Sequence, residues 1–301
     1  MPAPRVALVS AAAAVALDED LPPLMAALRA AGAQPQIAVW DDAQVDWRSF
    51  ELVLLRSAWD YAERRAQFLA WARRTAQLTR LANSWPIVRW NTDKHYLQQL
   101  AAAGVPVVPS RFIEPGEDAA GALQDFLETY PEAELVVKPA VGAGSRDAQR
   151  HARAQRARIL AHVQRLLVQG RSVLLQPFLE RVGAQGETAL VFIGGRFSHA
   201  VRKGLLLQSG AAATPSLFAP EEISARAASS AELQVAAQAL AAVPEPALLY
   251  ARVDLIRDAQ DAPRLLELEL TEPSLFFAHH PGSAEALARA SLGLLGMRAA
   301  D

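Results

Sequence analysis

Within residues 248–270, Arg252, Asp254, Glu267 and Glu269 fall in a pattern suited to metal and phosphate chemistry. Two strands are predicted, 248–257 and 264–270, joined by a loop at 258–262. Side chains alternate along a strand, so Arg252 and Asp254 share a face. Glu267 and Glu269 share one face of the second strand, and Leu266, Leu268 and Leu270 take the other. With the turn centred between Gln260 and Asp261, Asp254 lies opposite Glu267, and opposed residues point the same way. One arginine does not balance three carboxylates. A magnesium ion would, because it takes carboxylate and phosphate oxygens together. Taken by itself, the Leu-Glu-Leu-Glu-Leu run is equally a half-exposed strand with a solvated acidic face.

Further residues suit a polyphosphate. Lys138 ends an apolar strand, 134–138, and a loop containing Gly142, Gly144 and Ser145 follows. Backbone N–H groups in such a loop can cradle phosphate while the lysine adds a point charge; a plain flexible turn explains the same letters. The loop fits neither the Walker-A pattern nor the dinucleotide fingerprint, since Asp147 stands where the third glycine would be. Gln176, Pro177, Phe178 and Leu179 follow a buried strand, where an extended backbone could bond a purine edge. Glu187 could accept ribose hydroxyls. In a hairpin turning at Gly194-Gly195, Glu187 and Arg202 are symmetric about the turn and share a face; a cross-strand ion pair is the plainer account. The histidines show no metal-ligand spacing, and no G-x-S-x-G nucleophile motif is present.

The elements that must position these groups alternate in the first third of the chain. Strands are predicted at 6–10, 36–40 and 51–56. A helix begins after Asp20, with Pro22 and Pro23 in its first turn and Gly32 beyond its end. Another spans 63–78. Apolar strands separated by helices imply a parallel sheet. A further helix opens at Asn91 and ends at Gly104, one follows at 117–128, and a basic one at 151–169. The remainder is hairpin-rich, with helices at 230–242 and 283–294. The stretch 5–17 imitates a short signal peptide, but a buried first strand followed by a loop explains the same residues. The chain is therefore divided into an N-terminal α/β domain (1–90), a central unit with the phosphate loop (91–176) and a C-terminal unit with the acids (177–301).

Composition narrows the function classes. The chain has 301 residues, 51% apolar and 21% charged, which is a globular, core-forming balance. Lys+Arg number 30 against 32 Asp+Glu, so no basic excess recruits nucleic acid. No apolar run is long enough to span a membrane. Cysteine is absent, which excludes thiolate metal sites and a cysteine nucleophile and fits a reducing cytoplasm.

Taken in order, Lys94, Lys138 with its small-residue loop, Gln176-Pro-Phe-Leu, Glu187, Arg202, Arg252-Val-Asp254 and Glu267-Leu-Glu269 resemble the ATP-grasp ligases. The branch containing glutathione synthetase and ribosomal-S6-modifying enzymes is the nearest. The resemblance runs through essentially the whole chain. It implies an α/β architecture, α+β in its C-terminal part, with an N-terminal Rossmann-like domain ahead of the ATP-grasp unit. It further implies that Lys94 and Lys138 contact nucleotide phosphates, residues 176–179 form the hinge at the adenine, and Glu187 takes the ribose. Asp254, Glu267 and Glu269 would be ligands of Mg²⁺ or Mn²⁺. The last position is often asparagine in that family, so Glu269 departs from it with one more negative charge. Arg202, Lys203 and Arg252 would steady the transferring phosphoryl group and the acyl phosphate, and the loop 142–147 would be a lid. ATP then phosphorylates a carboxylate, and a nitrogen nucleophile attacks the acyl phosphate.

A narrower resemblance rests on Leu55-Arg-Ser-Ala-Trp-Asp-Tyr61, Arg89-Trp-Asn-Thr-Asp-Lys94 and Phe197-Ser-His-Ala-Val-Arg-Lys203. These strings look like the cyclo-ligases that close D-cycloserine from O-ureido-D-serine. It implies a small amino-acid substrate near Arg56, Ser57, Asp60, Tyr61 and Thr271, with Arg56 on a carboxylate and Asp60 on an ammonium. A local salt bridge and a core Trp/Tyr pair are the simpler reading of those residues. Two alternatives remain: an enzyme joining two molecules, as glutathione synthetase does, and an ATP-binding regulatory protein without turnover. A homo-oligomer in the cytoplasm, without nucleic-acid or membrane partners, is the expected setting.

Overall fold

The structure, a computed structural model, describes residues 2–208, 221–245 and 247–297. Their strands form three sheets. The first contains β1 (Arg5–Ser10), β2 (Gln34–Val39), β3 (Leu52–Ser57) and β4 (Arg80–Ala82) in the order β2-β1-β3-β4, all parallel. Every residue of β3 is buried, as expected for a strand covered on both faces. The second sheet is antiparallel, with β5 (Arg111–Ile113), β6 (Glu134–Pro139), β7 (Gln149–Ala152) and β8 (Val173–Pro177) in the order β5-β8-β6-β7. Helices Ala119–Thr129 and Arg156–Val168 cover one face of it, burying Phe126, Ile159 and Val163 against Val137 and Leu175.

The third sheet contains β9 (Glu187–Ile193), β10 (Arg196–Lys203), β11 (Ile223–Arg226), β12 (Tyr250–Arg257) and β13 (Pro263–Glu269) in the order β11-β10-β9-β12-β13. Helix Ser230–Ala241 packs in one core with Val253 and Leu268. Helix Ser283–Leu294 packs in another with Val191 and Tyr250 and with β1 and β3 of the first sheet. No helix among the described residues is long and apolar enough to cross a membrane.

The strands 6–10 and 51–56, both hairpins and the last two helices lie within a few residues of their predicted positions. Three local expectations fail. Asn91 closes a helix, Trp85–Asn91, and the next helix is Tyr96–Ala102; Pro86 in the first turn of the former is the sequence signal. His151 sits on β7, and the basic helix begins only at Arg156. Asp20 occupies the N-cap position of helix Leu21–Ala30 but makes no side-chain cap bond there. Its carboxylate instead accepts from the backbone N–H groups of Leu275, Phe276 and Phe277.

Two buried polar seams hold the sheets in register. Asn83 donates to the carbonyls of Tyr250 and Leu270 and accepts from Leu249 N–H, joining the first sheet to the third. Asn83→Ala leaves three buried backbone groups unpaired and should cost about 3 kcal/mol, measured as a lowered urea midpoint with unchanged slope. Beneath the second sheet, His151 Nε2 and His162 Nδ1 lie 3.0 Å apart, a bond that needs a neutral acceptor ring. Burial, reinforced by Arg165 and His151, lowers the His162 pKa to about 4. The unfolded chain, with an ordinary imidazole near 6.5, therefore binds more protons between those values. Stability should fall as pH drops from about 6.5 to 4, and His162→Gln should flatten that part of the pH–stability curve.

Candidate active site

Strand β13 is the outer strand of the third sheet, and its unpaired edge is closed by residues 91–108. Asn91 donates to Leu268 O and accepts from Leu270 N–H, at 2.7 Å each. Tyr96 Oη accepts from Leu268 N–H, and Leu265 bonds Pro106 and Val108 through the backbone. With the strand fixed on both edges, its alternation aims Glu267 and Glu269 into a cavity of about 620 Å³. Lys138, the loop 142–146, Gln176, Glu187, Arg252 and Asp254 also line this cavity.

Register across β12 and β13 pairs Asp254 with Glu267 and Arg252 with Glu269. Near the loop, pairs such as Arg257 with Pro263 centre on Gln260, half a residue short of the predicted turn centre. A bulge at Leu266 supplies the missing half-step. It also corrects the predicted side-chain sorting. Leu265, not Leu266, joins the core with Leu268 and Leu270, while Leu266 lines the cavity.

A second bulge changes the other hairpin. An extra residue at Ser198 shifts β10, so Glu187 opposes Lys203 and Arg202 opposes Thr188. Lys203 Nζ reaches Asp254 Oδ2 at 3.2 Å, Glu221 at 3.2 Å and Glu187 at 3.4 Å. Arg202 does not line the cavity; its Nε donates to the Gln185 carbonyl. The expected pairing of Glu187 with Arg202 is therefore corrected: Lys203 faces Glu187, and Arg202 lies outside the cavity lining.

The cations are organised around the acids. Arg252 grips Asp254 with two bonds, Nε to Oδ1 at 2.8 Å and Nη2 to Oδ2 at 2.9 Å, and also bonds Glu269. Lys94 Nζ lies 2.8 Å from Glu267 and donates to Gly142 O at 2.9 Å. So Lys94, Lys203 and Arg252 stand among the three acids, and among the described residues no group of three acidic or histidine side chains is arranged to hold a metal by itself. The premise that a single arginine faces the acids is thereby corrected.

Burial alone would raise all three carboxyls. Arg252 and Lys203 outweigh it at Asp254, and Lys94 and Lys138 outweigh it at Glu267, so both are held below the ordinary range. At Glu269 burial prevails and the pKa rises to about 7; at Glu272 burial, then Glu269, pushes it well above the ordinary value. The acid end of the cavity thus retains affinity for a further positive charge, and its donors are all oxygens, as a hard divalent cation prefers. Lys138 is the complement. Burial lowers its pKa despite the attraction of Glu267, and it forms no ion pair among the described residues.

At the other end, Val108, Phe178, Val182 and Ile256 form an apolar slot with Leu179 and Leu266. Gln176 at its edge donates to Ser110 Oγ at 2.9 Å. The slot has the chemistry for a flat heterocycle, and Lys138 stands two residues along β6 from Val136, which packs against it. In the loop between, Gly144, Ser145 and Asp147 all adopt positive φ. Arg165 and Arg171 hold Asp147 at 3.1 and 2.6 Å, and Arg146 pairs with Glu63 of the N-terminal region.

The predicted substrate residues fare unevenly. Tyr61 lines the cavity. Arg56 is fully buried behind it, donating to Pro273 O at 2.8 Å and lying 3.6 Å from Asp20. Ser57 Oγ bonds Ser10 Oγ, Asp60 is taken by the Trp40 indole and Arg64, and Thr271 Oγ1 bonds Asn91. These four residues support the wall rather than form it. Asn91, Asp18, Glu221 and Glu272 line the cavity but were not singled out by sequence. The hints were the Asp18-Glu-Asp20 triplet after the first strand and the Arg89–Lys94 string that contains Asn91.

Comparison with known proteins agrees with this geometry. Residues 6–83 match the family described as D-cycloserine synthetase DcsG, N-terminal domain. The cycloserine biosynthesis protein DcsG of Streptomyces lavendulae is 45% identical over 277 residues, covering 90% of this chain and 92% of that protein. A crystal structure of D-cycloserine synthetase DcsG superposes with a TM-score of 0.90 at 42% identity, over 97% of this chain and 99% of that one. The ATP-grasp ligase PsnB, solved with a phosphomimetic precursor variant, Mg and ADP, shares the fold at a TM-score of 0.62 and 19% identity, over 96% of this chain and 98% of its own. The chain has the ATP-grasp fold and belongs to the D-cycloserine synthetase (DcsG) family.

Proposed function

We propose that this protein is an ATP-dependent ligase that closes O-ureido-D-serine to D-cycloserine. The likeness to DcsG over nine-tenths of the chain, joined to a cavity with an apolar slot at one end and paired acids and lysines at the other, carries the reading. A carboxylate oxygen of the substrate attacks the γ-phosphorus, releasing ADP and leaving an acyl phosphate. The nitrogen bonded to the side-chain oxygen then attacks the acyl carbon, closing the ring and expelling phosphate. Water removes the carbamoyl group as carbon dioxide and ammonia.

In this reading the adenine occupies the slot of Phe178, Leu179 and Leu266, with Gln176 at its edge and Glu187 at the ribose. Lys138, half-buried and without a counter-ion among the described residues, binds phosphate, and Lys94 moves between Glu267 and the nucleotide. Asp254, Glu267 and Glu269 would hold Mg²⁺, which when bound neutralises the triphosphate charge. Arg252 keeps Asp254 and Glu269 oriented; its bidentate grip is the geometry that guanidinium gives and lysine does not. Lys203, which bonds Asp254 and lines the cavity, steadies the transferring phosphoryl group together with Arg252. The loop 142–147 covers the phosphates, excluding water from the acyl phosphate. Phosphoryl transfer asks chiefly for positioning and charge neutralisation, and these groups supply both.

Incubation with Mg-ATP and O-ureido-D-serine should yield ADP and D-cycloserine in equal amounts. ADP formed with a second amino acid or a peptide, and no ring, would replace this reading with an intermolecular ligase. Glu267→Gln should lower kcat by roughly 100-fold or more while the melting temperature holds; near-normal turnover removes Glu267 from the metal set. Lys138→Met should weaken ATP binding by roughly 10- to 100-fold, the worth of a charged hydrogen bond, read by calorimetry.

A further inference from the structure

One wall of the cavity carries a buried acid that the phosphoryl chemistry does not use. The loop after β1 brings Asp18 and Asp20 to the cavity, both more than nine-tenths buried. They differ in how their oxygens are employed. Asp20 is saturated by three backbone N–H groups and lies beside Arg56. Asp18 Oδ1 accepts from Asp20 N–H at 3.0 Å, but Oδ2 has no partner among the described residues. The neighbouring Ser57 hydroxyl is engaged with Ser10. A buried carboxylate oxygen without a partner costs free energy unless a ligand supplies one. Burial raises the Asp18 carboxyl, and Arg56 and the Ser57 hydroxyl beside it oppose that rise without cancelling it.

The position of this acid is fixed relative to the reacting end. Asp20 and Arg56 together hold backbone groups of residues 273–277, the segment that leaves β13 just past Glu269. An α-amino acid whose carboxylate meets the γ-phosphate must place its ammonium about 2.5 Å from the carboxyl carbon, by bond geometry alone. The ammonium therefore falls close to the phosphoryl site and needs an anionic acceptor that metal and phosphate do not claim.

Resting on the ligase reading above, we propose that the Asp18 carboxylate binds the α-ammonium of the amino-acid substrate. Glu272 also has an unpartnered Oε2 and lines the cavity, but it shares the field of Glu269, Lys94 and Glu267 and belongs to the phosphoryl end. Asp18 lines the same cavity, but its charged neighbours are Arg56 and Asp20 and not the acids and lysines of the phosphoryl end. Asp60, the residue to which sequence assigned the ammonium, is consumed by Trp40 and Arg64.

The test compares two substrates in two proteins. One substrate is O-ureido-D-serine; the other is the same acid with hydrogen in place of the α-amino group. Wild type should lose roughly 100-fold in kcat/KM on the second substrate, the worth of a charged hydrogen bond. Asp18→Asn keeps an acceptor for Asp20 N–H and should lose a similar factor on the first substrate. On the second it should match wild type within about twofold. An equal loss on both substrates, or a substrate-selective loss in Glu272→Gln instead, overturns the assignment. If Asp18→Asn fails to fold, Asp18→Ser takes its place. A measurement on wild type needs no variant: D-cycloserine should inhibit roughly tenfold more tightly than the same ring without its amino group, and equal inhibition overturns the proposal. A wild-type enzyme that forms ADP but no ring from O-ureido-D-serine would remove the ligase reading itself, an outcome distinct from lost discrimination by Asp18.

Discussion

The site depends on fixing the free edge of β13. An edge strand presents unpaired N–H and C=O groups and is free to slip unless something closes it. Here Asn91, Tyr96 and the extended segment at 106–108 close it, using side-chain amide, phenol and backbone in turn. A slip of one residue would turn Glu267 and Glu269 toward the core. The residues that prevent this lie more than 150 positions earlier in the chain. The active-site face is therefore set by long-range packing, although two of its acids are near neighbours in sequence.

Once the acids face inward, the electrostatics follow. Buried carboxylates survive only when paired. Arg252, Lys94 and Lys203 perform that service, each bonded to at least one of Asp254, Glu267 and Glu269. The arrangement is preorganised yet exchangeable: a lysine released from a carboxylate is available to a phosphate, and the carboxylate it leaves is available to a metal. Lys138 has no counter-ion among the described residues, which suits the phosphate-binding part proposed for it. This division between engaged and unengaged cations is what an ATP site needs before ATP arrives.

The N-terminal sheet contributes less chemistry than its motifs suggested. The Arg56-Ser-Ala-Trp-Asp-Tyr61 string mostly braces the segment after β13: Arg56 through Pro273, Trp59 through the Glu272 carbonyl. Trp59, Tyr61 and the Asp18 loop are the parts that meet the cavity. Residues that look like ligands in sequence can be the supports that hold other ligands in place.

Periodicity and residue type alone determined a great deal. The Glu-Leu-Glu run, the Arg-Val-Asp run and the Gly-Gly turn each specify a strand or hairpin through local rules, and their order along the chain carried the ATP-grasp resemblance. The facing of Asp254 and Glu267 was reached from a turn centre half a residue off, an offset that the bulge at Leu266 cancels. What local rules could not reach were the bulges at Ser198 and Leu266, since a bulge leaves no period of its own and one inserted residue reverses every side chain beyond it. Lys203 rather than Arg202 faces Glu187 for that reason. Burial was equally out of reach: whether Asp18, Arg56 or Asp60 meets a ligand depends on which long-range partner has already taken its polar atoms, and that is decided only when the three sheets pack together.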